Sequence, residues 1–190
     1  GCAIAHNGNL TNATALRRQL IERGAIFQSS SDSECIIHLM ARSMQKTLAE
    51  RIKDALRAVE GAFSVIAMTR TKLIGVRDPL GVRPLVLGKV GDGHVLSSET
   101  CALDIIGAEF VREIEPGEMV VIEKGVVQSS HPFAPASPRF CIFEHVYFSR
   151  PDSIIGGRSV YETRRQIGVE LAKEAPVGAD LVCPVPDSGT

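Results

Sequence analysis

The stretch AFSVIAMTRTKLIGVRD, residues 62–78, decides the expected fold, because the spacing of apolar residues changes there from a helical to a strand pattern. It is rich in β-branched residues, which fit the pleated surface of a sheet. A break near Thr71 divides it into two short strands. Residues before this stretch show helical periods, and those after it form further short apolar runs separated by turn residues.

Three segments before this stretch are predicted to be helices. After a short strand and turn at residues 2–10, the segment 11–24 has one apolar face and ends at a glycine. A polar loop then leads into a second helix that begins near Ser31 or Ser33. The third helix, within residues 47–61, places four apolar residues in register: Leu48, Ile52, Leu56 and Val59.

The segments after this stretch predict mainly antiparallel strands. Residues 84–99 have the pattern of a hairpin, with two apolar runs about a Gly-Asp-Gly turn. A short helix within residues 101–108 follows, and residues 110–130 resemble another hairpin-like pair. Helices followed by many short strands favour a layered α+β domain over a doubly wound parallel sheet.

A proline-rich stretch, SSHPFAPASPRF at residues 129–140, is the predicted linker between two parts of the chain. We expect residues 1–128 to form a first domain and residues 141–190 to begin a second one. The second part contains an amphipathic helix within residues 159–175, and its last residues, ADLVCPVPDSGT, have the pattern of a buried strand that runs into a turn. Because a compact domain seldom ends at such a turn, this pattern predicts that the chain is a piece of a longer protein.

The composition argues against several classes of function. A formal net charge of −1 over 190 residues gives no electrostatic basis for binding nucleic acid or an anionic membrane. No apolar run in the sequence approaches the roughly 20 residues of a membrane helix. The five cysteines are scattered without a CxxC pair, which argues against a disulfide scaffold or a zinc site and favours a reducing cytoplasm: Cys2, Cys35, Cys101, Cys141 and Cys183.

The segment Asn7-Gly8-Asn9 contains the first candidate site. An Asn-Gly pair is a strong signal for a tight turn, which is sufficient to explain it structurally. The same residues can form an oxyanion hole, because the Asn7 side-chain amide and the Gly8 backbone N–H can donate to one developing negative charge. Cys2 is a candidate nucleophile if a domain starts here. Within a strand it is expected to be an ordinary buried core residue.

Asp32 precedes the second predicted helix, in the sequence Ser31-Asp32-Ser33-Glu34. It can cap the helix N-terminus, or its ionised carboxylate can bind the ammonium group of a ligand. The segment RDPLGVRPL, residues 77–85, is interpreted as a structured turn with an internal Arg–Asp pair, since nothing in it is placed as an acid, base or nucleophile. The five histidines show no metal-ligand spacing.

Six segments, taken in order, resemble the amidophosphoribosyltransferase family, the glutamine phosphoribosylpyrophosphate amidotransferases of purine synthesis. They cover nearly the whole chain: AHNGNLTN, SDSE, RDPLGVRPLVLG, SSETCALDIIGAEFVREIEPGEMVVI, CIFEHVYFSRPDS with GRSVYETR, and PVPDSGT. The first three are shared loosely with other class II glutamine amidotransferases. The segments FEHVYFSRPDS and PVPDSG are specific to the phosphoribosyl branch.

The resemblance implies an N-terminal-nucleophile hydrolase-like glutaminase domain with αββα layers, here missing its N-terminal strands, followed by the start of an α/β phosphoribosyltransferase domain. In this family a cysteine at the mature N-terminus attacks glutamine, and its α-amine serves as general base. The ammonia passes internally to phosphoribosyl pyrophosphate and displaces pyrophosphate, which gives 5-phosphoribosylamine. The resemblance further implies a cytoplasmic homo-oligomer, a tetramer or a dimer, when the protein is full-length.

Carried over by position, Asn7 and Gly8 form the oxyanion hole, and Asp32 binds the α-ammonium group of glutamine. The nucleophilic cysteine and the arginine that binds the glutamine carboxylate lie upstream of AHNGN in the family. The acidic phosphoribosyl pyrophosphate loop lies downstream of PVPDSGT. We therefore expect this chain, as an internal fragment, to have neither glutaminase nor transferase activity by itself.

Two further positions concern metals. Ser188 lies next to the family's magnesium–phosphoribosyl pyrophosphate site, although some members place the relevant serine where this chain has Gly189. Cys141 stands where some members have the first ligand of a 4Fe–4S cluster. Other members have a cysteine there without a cluster, so both alternatives stay open.

Two other hypotheses are weighed against this one. Another class II amidotransferase, such as the glucosamine-6-phosphate-forming enzyme, shares the HNG turn and the acidic helix start, but its second domain does not supply SRPDS or PVPDSG. A non-catalytic module that binds nucleotide or phosphoribosyl groups needs a complete phosphate loop, and none is visible in the sequence.

Overall fold

The computed structural model describes residues 1–186 and 189. The helices of this part are α1 (Ala13–Glu22), α2 (Ser33–Arg42), α3 (Leu48–Arg57), α4 (Thr100–Ile105) and α5 (Val160–Glu174). Its strands are β1 (Ala3–Leu10), β2 (Gly61–Met68), β3 (Lys72–Arg77), β4 (Val86–Val90), β5 (Gly93–Ser97), β6 (Glu109–Glu113), β7 (Met119–Glu123), β8 (Val126–Ser130), β9 (Ile154–Ile155) and β10 (Arg158–Ser159). A π-helical turn, Glu144–Phe148, lies between β8 and β9. No helix of the described residues is long and apolar enough to cross a membrane.

The stretch 62–78 forms the centre of a five-stranded antiparallel sheet. The strand order of this large sheet is β1-β2-β3-β7-β8, so β1 lies at one edge. The predicted break falls at the turn between β2 and β3, where the Thr69 N–H donates to the Lys72 carbonyl at 2.9 Å. The sequence prediction for this stretch is therefore confirmed.

The large sheet buries apolar side chains on both faces. Phe63, Val65 and Ala67 of β2 pack on one face against α1, α2 and α3. Ile66, which points to the opposite face, packs into a second core between the two sheets. This alternation follows from the two-residue period of a strand, and it places three helices and the large sheet in adjacent layers.

A three-stranded sheet, with order β5-β4-β6, forms the third layer. Its β4–β5 hairpin turns at Gly91 and Asp92, as the Gly-Asp-Gly pattern predicts. The outer face of this small sheet is covered by α4, whose Leu103 packs against Val86 and Ala108. The layers thus follow the order helix, sheet, sheet, helix, which confirms the predicted αββα arrangement.

Residues 110–130 supply strands to both sheets, so the prediction of one hairpin-like pair is wrong for their first part. β6 pairs with β4 in the small sheet, whereas β7 and β8 form a hairpin in the large sheet. The chain crosses at Ile114, which is fully buried and whose N–H donates to the Leu85 carbonyl at 2.8 Å. This crossing depends on a partner far earlier in the chain, which local spacing does not reveal.

The predicted linker, residues 129–140, is held against the first part of the chain. β8 ends at Ser130, inside the predicted linker, and residues 131–140 form no regular element. The ring of Phe133 lies 6.1 Å from the ring of Phe63, between centroids, and packs against the core under the helices. The division of the chain into two domains at this linker stays a prediction.

The second part of the chain contains the predicted helix, α5, but not the predicted terminal strand. Val160 is fully buried, whereas Ile167 and Leu171 on the same helix are 48% and 61% exposed. The described residues after Gly178 form no strand, and the apolar side chains of Leu181, Val182 and Val185 are exposed. A strand needs neighbouring backbone groups to pair with, and the described residues bring none to this segment.

The turn after β3 is organised by Asp78, which is fully buried. Its carboxylate accepts hydrogen bonds from the backbone N–H groups of Phe63 at 3.4 Å, Leu80 at 2.9 Å and Val82 at 3.1 Å. Burial raises the pKa of Asp78, and these donors oppose that effect. One side chain thus fixes the course of the whole turn.

The predicted internal Arg–Asp pair of this turn is replaced by another pair. Arg77 forms its ion pair with Glu113, with 3.7 Å between Nη1 and Oε2. It also donates to the carbonyl oxygens of Ile114, Gly81 and Arg83. Asp78 follows the end of β3, and its carboxylate is engaged by the backbone N–H groups of Phe63, Leu80 and Val82 instead of forming a salt bridge with Arg77.

We predict that Asp78→Ala lowers the free energy of unfolding by about 3 kcal/mol, because buried backbone donors lose their acceptor. The measurement is a denaturant titration followed by circular dichroism. Asp180→Ala is the matched control, since Asp180 is exposed, and it should leave the midpoint unchanged. Equal midpoints for the two variants would contradict this role of Asp78.

Candidate active site

The Asn7 side chain is held in one orientation by two neighbours. Its Oδ1 accepts hydrogen bonds from Arg83, at 3.1 Å from Nε and 2.8 Å from Nη2, and its Nδ2 donates to Ser98 Oγ at 2.9 Å. Because a guanidinium group can only donate, the amide oxygen must face Arg83 and the amide nitrogen must face away. An amide nitrogen has two N–H groups, so Asn7 can donate to a ligand as well as to Ser98.

The backbone N–H of Gly8 is directed towards the outer edge of β1. Phe63, which lies opposite Gly8, accepts a backbone hydrogen bond from Asp78 on the other side of β2. Gly8 and Phe63 therefore form a non-hydrogen-bonded pair, in which the backbone groups of Gly8 point away from β2. Since β1 is an edge strand, these groups face the edge of the large sheet.

Position 8 requires glycine. Gly8 has φ +154°, and a Cβ there would overlap the Ala62 carbonyl and lie 2.8 Å from Nε2 of His6. The side chain of Asn7 and the N–H of Gly8 can reach a common ligand because nothing projects from Cα of the glycine. The sequence prediction that these two residues are adjacent donors agrees with this geometry, and their catalytic role stays a prediction.

Asp32 lies at the same edge of the sheet. Its Oδ2 accepts a hydrogen bond from the Leu10 N–H at 2.9 Å, and Leu10 lies two residues after Gly8, so both N–H groups point outward. Asp32 occupies the N-cap position of α2, but its side chain makes no capping hydrogen bond. The predicted capping role is thus not realised by the carboxylate, which is 25% exposed and faces the edge instead.

The Gly8 and Leu10 N–H groups are about 7 Å apart along the strand, from the rise per residue of an antiparallel strand. Donors for an oxyanion lie at one end of this interval, and the carboxylate of Asp32 lies at the other end. The arrangement can bind a small molecule with a cationic group and a carbonyl oxygen separated by this distance.

The loop in front of Asp32 is fixed by two charged side chains. Arg17 donates to the Ser29 carbonyl at 2.8 Å, and Glu34 accepts from the N–H groups of Gln28 at 2.7 Å and Ser29 at 2.8 Å. The hydroxyl of Ser29 and these N–H groups lower the pKa of Glu34 from 4.5 to about 2. The position of Asp32 therefore depends on an ionised Glu34.

His6 supports Asp32 from the interior side. Its side chain is 2% exposed, and its Nδ1 lies 3.1 Å from Ser33 Oγ and 3.6 Å from Asp32 Oδ1. Its Nε2 has no hydrogen-bond partner among the residues that the structure describes. The ring thus lies between Asn7–Gly8 of β1 and the Asp32 carboxylate. The tight turn predicted at Asn7-Gly8-Asn9 is not formed, because β1 stays paired with β2 as far as Leu10.

Among the described residues, the candidate nucleophile Cys2 and the candidate metal ligand Cys141 make no hydrogen bond to Asn7, Gly8 or Asp32. Cys2 is exposed, which corrects the prediction of a buried core residue, because it precedes the first paired residue of an edge strand. Cys141 is half-buried, and in residues 1–186 and 189 no group of three His, Cys, Asp or Glu side chains could hold a metal ion. Ser188, the candidate magnesium residue, lies outside the described residues.

The sequence did not identify Arg83 and Ser98 as site residues. Arg83 lies in the turn that was interpreted as structural, and Ser98 follows β5 directly. Both reach Asn7 from parts of the chain that lie 76 and 91 residues further on and do not pair with β1. The three charges, two prolines and one glycine in RDPLGVRPL indicate a structured turn, but nothing in the sequence connects that turn to Asn7.

A comparison with protein families identifies the first part of the chain. The model of the glutamine amidotransferase domain matches residues 1–104, more than half of the chain. The chain belongs to the glutamine amidotransferase family. Its edge-strand site, with Asn7, Gly8 and Asp32, lies wholly within the matched residues.

Curated relatives of this glutamine amidotransferase chain carry the name amidophosphoribosyltransferase. The protein of Rhizobium etli is 54% identical over 100% of this chain and 39% of its own length. The protein of Bacillus subtilis is 47% identical over 98% of this chain and 39% of its own length. The chain thus spans about two fifths of the length of these relatives.

A solved structure shows the same fold as this amidotransferase chain. The glutamine phosphoribosylpyrophosphate amidotransferase from Bacillus subtilis, complexed with ADP and GMP, superposes with a TM-score of 0.93 at 47% identity. The superposition covers 99% of this chain and 41% of the other. The resemblance to amidophosphoribosyltransferases and the expected N-terminal-nucleophile fold are confirmed.

We predict that Gly8→Ala lowers the free energy of unfolding by more than about 1 kcal/mol, because its backbone conformation and the Ala62 carbonyl leave no room for a Cβ. Thermal denaturation is the measurement. The control is Gly178→Ala, since a Cβ at Gly178 meets nothing within 4 Å. A Gly8→Ala midpoint equal to that of the control would show that β1 tolerates a side chain at this position.

We predict that Glu34 titrates with a pKa of about 2 and that Ser29→Ala raises this pKa towards 4.5. Because the pKa is lowered in the folded state, the stabilisation is present above pH 4.5 and is lost as the pH falls towards 2. The measurement is a carbon-13 NMR titration of the Glu34 carboxyl group. Ser33→Ala is the control, since the Ser33 hydroxyl contacts His6 instead. An unshifted Glu34 in the unsubstituted protein would contradict the hydrogen-bonded loop.

Proposed function

We propose that the chain is the glutamine-hydrolysing part of an amidophosphoribosyltransferase. This enzyme converts glutamine, water and phosphoribosyl pyrophosphate into glutamate, 5-phosphoribosylamine and pyrophosphate, in the first committed step of de novo purine synthesis. Similarity along the whole chain supports the proposal, including 46% identity to a structure described as the allosteric regulatory enzyme of purine biosynthesis. The observation that carries it is the common edge on which Asn7, Gly8 and Asp32 lie.

Glutamine matches the spacing of this edge. Its α-ammonium nitrogen and its amide oxygen are separated by a chain of bonds of about 1.5 Å each, which spans roughly 6 to 7 Å when extended. The carboxylate of Asp32 binds the ammonium group, and the amide carbonyl then lies beside Asn7 and Gly8. A charge-assisted contact of this kind fixes the orientation of the substrate as well as its affinity.

Asn7 and Gly8 stabilise the charge that forms during attack. When a thiolate adds to the amide carbon, the carbonyl oxygen becomes an oxyanion, which accepts hydrogen bonds from Asn7 Nδ2 and the Gly8 N–H. The carbon–nitrogen bond then breaks, the nitrogen takes up a proton and leaves as ammonia, and a thioester remains. Water hydrolyses this thioester to glutamate and restores the thiol. The attacking cysteine is a residue outside these 190 residues.

The second part of the chain, residues 141–190, begins the phosphoribosyltransferase domain in this proposal. Ser188 would lie beside the magnesium ion of bound phosphoribosyl pyrophosphate, and Cys141 would be the first ligand of a 4Fe–4S cluster in those members that have one. The full-length protein is proposed to be a homo-oligomer in the cytoplasm. A relative from Arabidopsis thaliana, 50% identical, is named as chloroplastic.

We predict that Asp32→Asn in the full-length protein raises the KM for glutamine about 10- to 100-fold, the effect of losing one charged contact of about 1.5–3 kcal/mol. The readout is ammonia release from glutamine and from glutaramate, which lacks the α-ammonium group. The unsubstituted protein should prefer glutamine strongly, and Asp32→Asn should lose that preference.

Asp54→Asn is the matched control for this prediction, because the Asp54 carboxylate accepts from Ser43 far from the sheet edge. It should leave both KM values unchanged. Retained preference for glutamine in Asp32→Asn would exclude Asp32 as the ammonium site. Absence of ammonia release and of phosphoribosylamine formation by the unsubstituted full-length protein would exclude the proposed function.

A further inference from the structure

Arg83 connects the Asn7 amide to a buried carboxylate from the second part of the chain. Its Nη1 lies 2.6 Å from Oε1 of Glu144, whose side chain is 1% exposed. The other carboxylate oxygen, Oε2, accepts a hydrogen bond from Ser149 Oγ at 2.7 Å. Glu144 is thus fixed within the π-helical turn, and its charge is directed at Arg83.

The guanidinium group of Arg83 divides its nitrogen atoms between two partners. Nε and Nη2 donate to Asn7 Oδ1, while Nη1 forms the ion pair with Glu144. The ring of Phe148 covers the group, with Cζ 4.9 Å from the ring centroid. The backbone of Arg83 is also held, because its carbonyl accepts from Ser64 Oγ and from Arg77 Nε. Both ends of the residue are therefore fixed.

We infer that Arg83 and Glu144 are positioning residues that hold the Asn7 amide in the orientation required for an oxyanion hole. This inference rests on the proposed function and adds residues to its site. With Oδ1 bound to Arg83, only Nδ2 can face the substrate carbonyl. A rotated amide would present Oδ1, whose partial negative charge repels the developing oxyanion.

Glu144 is required because it pairs with the charge of Arg83 at a site shielded from water. A guanidinium group that loses its carboxylate partner in such a place turns towards solvent or another acceptor. Arg83 would then release Asn7. The carboxylate of Glu144 thereby orients the oxyanion-hole donor Asn7 through Arg83, without contacting the substrate.

The pair also joins the two parts of the chain at the site. Glu144 lies beyond the predicted linker, and the segment that follows it is docked by Glu99, which accepts from Arg150 N–H at 2.8 Å and Ser153 Oγ at 2.7 Å. The Asn7 amide is therefore fully held only when the turn Glu144–Phe148 is docked against the first part.

The first experiment measures kcat and KM for glutamine hydrolysis in the full-length protein. Arg83→Met should lower kcat about 100- to 1,000-fold, the effect of losing one oxyanion donor, and Glu144→Gln about 10- to 100-fold, the effect of misplacement. KM should change less than about 3-fold for both, because the Asp32 contact is intact. Arg83→Lys, which keeps the charge but not the planar fork, should fall between Arg83→Met and the unsubstituted protein.

The second experiment repeats both substitutions in an Asn7→Ala background. If Arg83 and Glu144 act through Asn7, each should then lower kcat by less than about 2-fold further. The same fold loss in both backgrounds would overturn the inference, since it indicates a general structural effect.

The matched control is Glu118→Gln, another buried carboxylate paired with an arginine. Glu118 is 2% exposed and lies 2.6 Å from Arg112 Nη2, but it contacts Ser129 rather than Asn7. It should lower the thermal midpoint without changing kcat. An equal loss of kcat in Glu118→Gln and Glu144→Gln would contradict a specific role for Glu144.

A neutron crystal structure of full-length Arg83→Lys and Glu144→Gln variants, which distinguishes the amide oxygen of Asn7 from its nitrogen, separates this inference from the proposed function. The Asn7 side chain should leave the rotamer it has in the unsubstituted protein, whether or not glutamine is hydrolysed. An unchanged Asn7 rotamer in both variants would overturn the inference, even in an active enzyme. A displaced Asn7 in a protein that releases no ammonia would support the positioning and exclude the glutaminase.

Discussion

The antiparallel pairing of β1 with β2 is the interaction on which the site depends. Its register places Gly8 opposite Phe63, whose backbone groups are already engaged by Asp78. The Gly8 and Leu10 N–H groups are therefore turned outward along one edge. If β1 were shifted by one residue relative to β2, the N–H groups of its odd-numbered residues would face this edge instead. The candidate donors would then be separated from Asp32. The four layers serve mainly to hold this register, because both faces of β2 are packed.

Local patterns predicted much of the fold and part of the site. The helical spacing before residue 61 and the short strands after it predicted a layered α+β domain. Short motifs identified Asn7, Gly8 and Asp32 as candidate site residues. These features depend on neighbouring residues, which a sequence displays directly. Arg83 was missed, because its contact joins Asn7 of β1 to the loop between β3 and β4, and these two segments are distant in the chain and meet only in the folded protein.

The scaffold around the site uses buried charges, and each has several partners. Asp78 accepts three backbone donors, Arg77 donates to three carbonyl groups, and Glu118 binds Arg112 and Ser129. Such groups are costly to bury alone but define one geometry when every partner is present. Composition cannot reveal them, because the same residues are common on protein surfaces.

The ion pair between Arg83 and Glu144 affects which members of this family can be joined into a chimeric protein. A chimera can be made by joining the first part of one protein to the second part of another at the predicted linker, residues 129–140. The orientation of its Asn7 amide would depend on whether the turn contributed by the second protein carries a carboxylate that pairs with Arg83 of the first. Compatibility between the two halves would then depend on this ion pair together with the hydrogen bonds of Glu99 to Arg150 and Ser153.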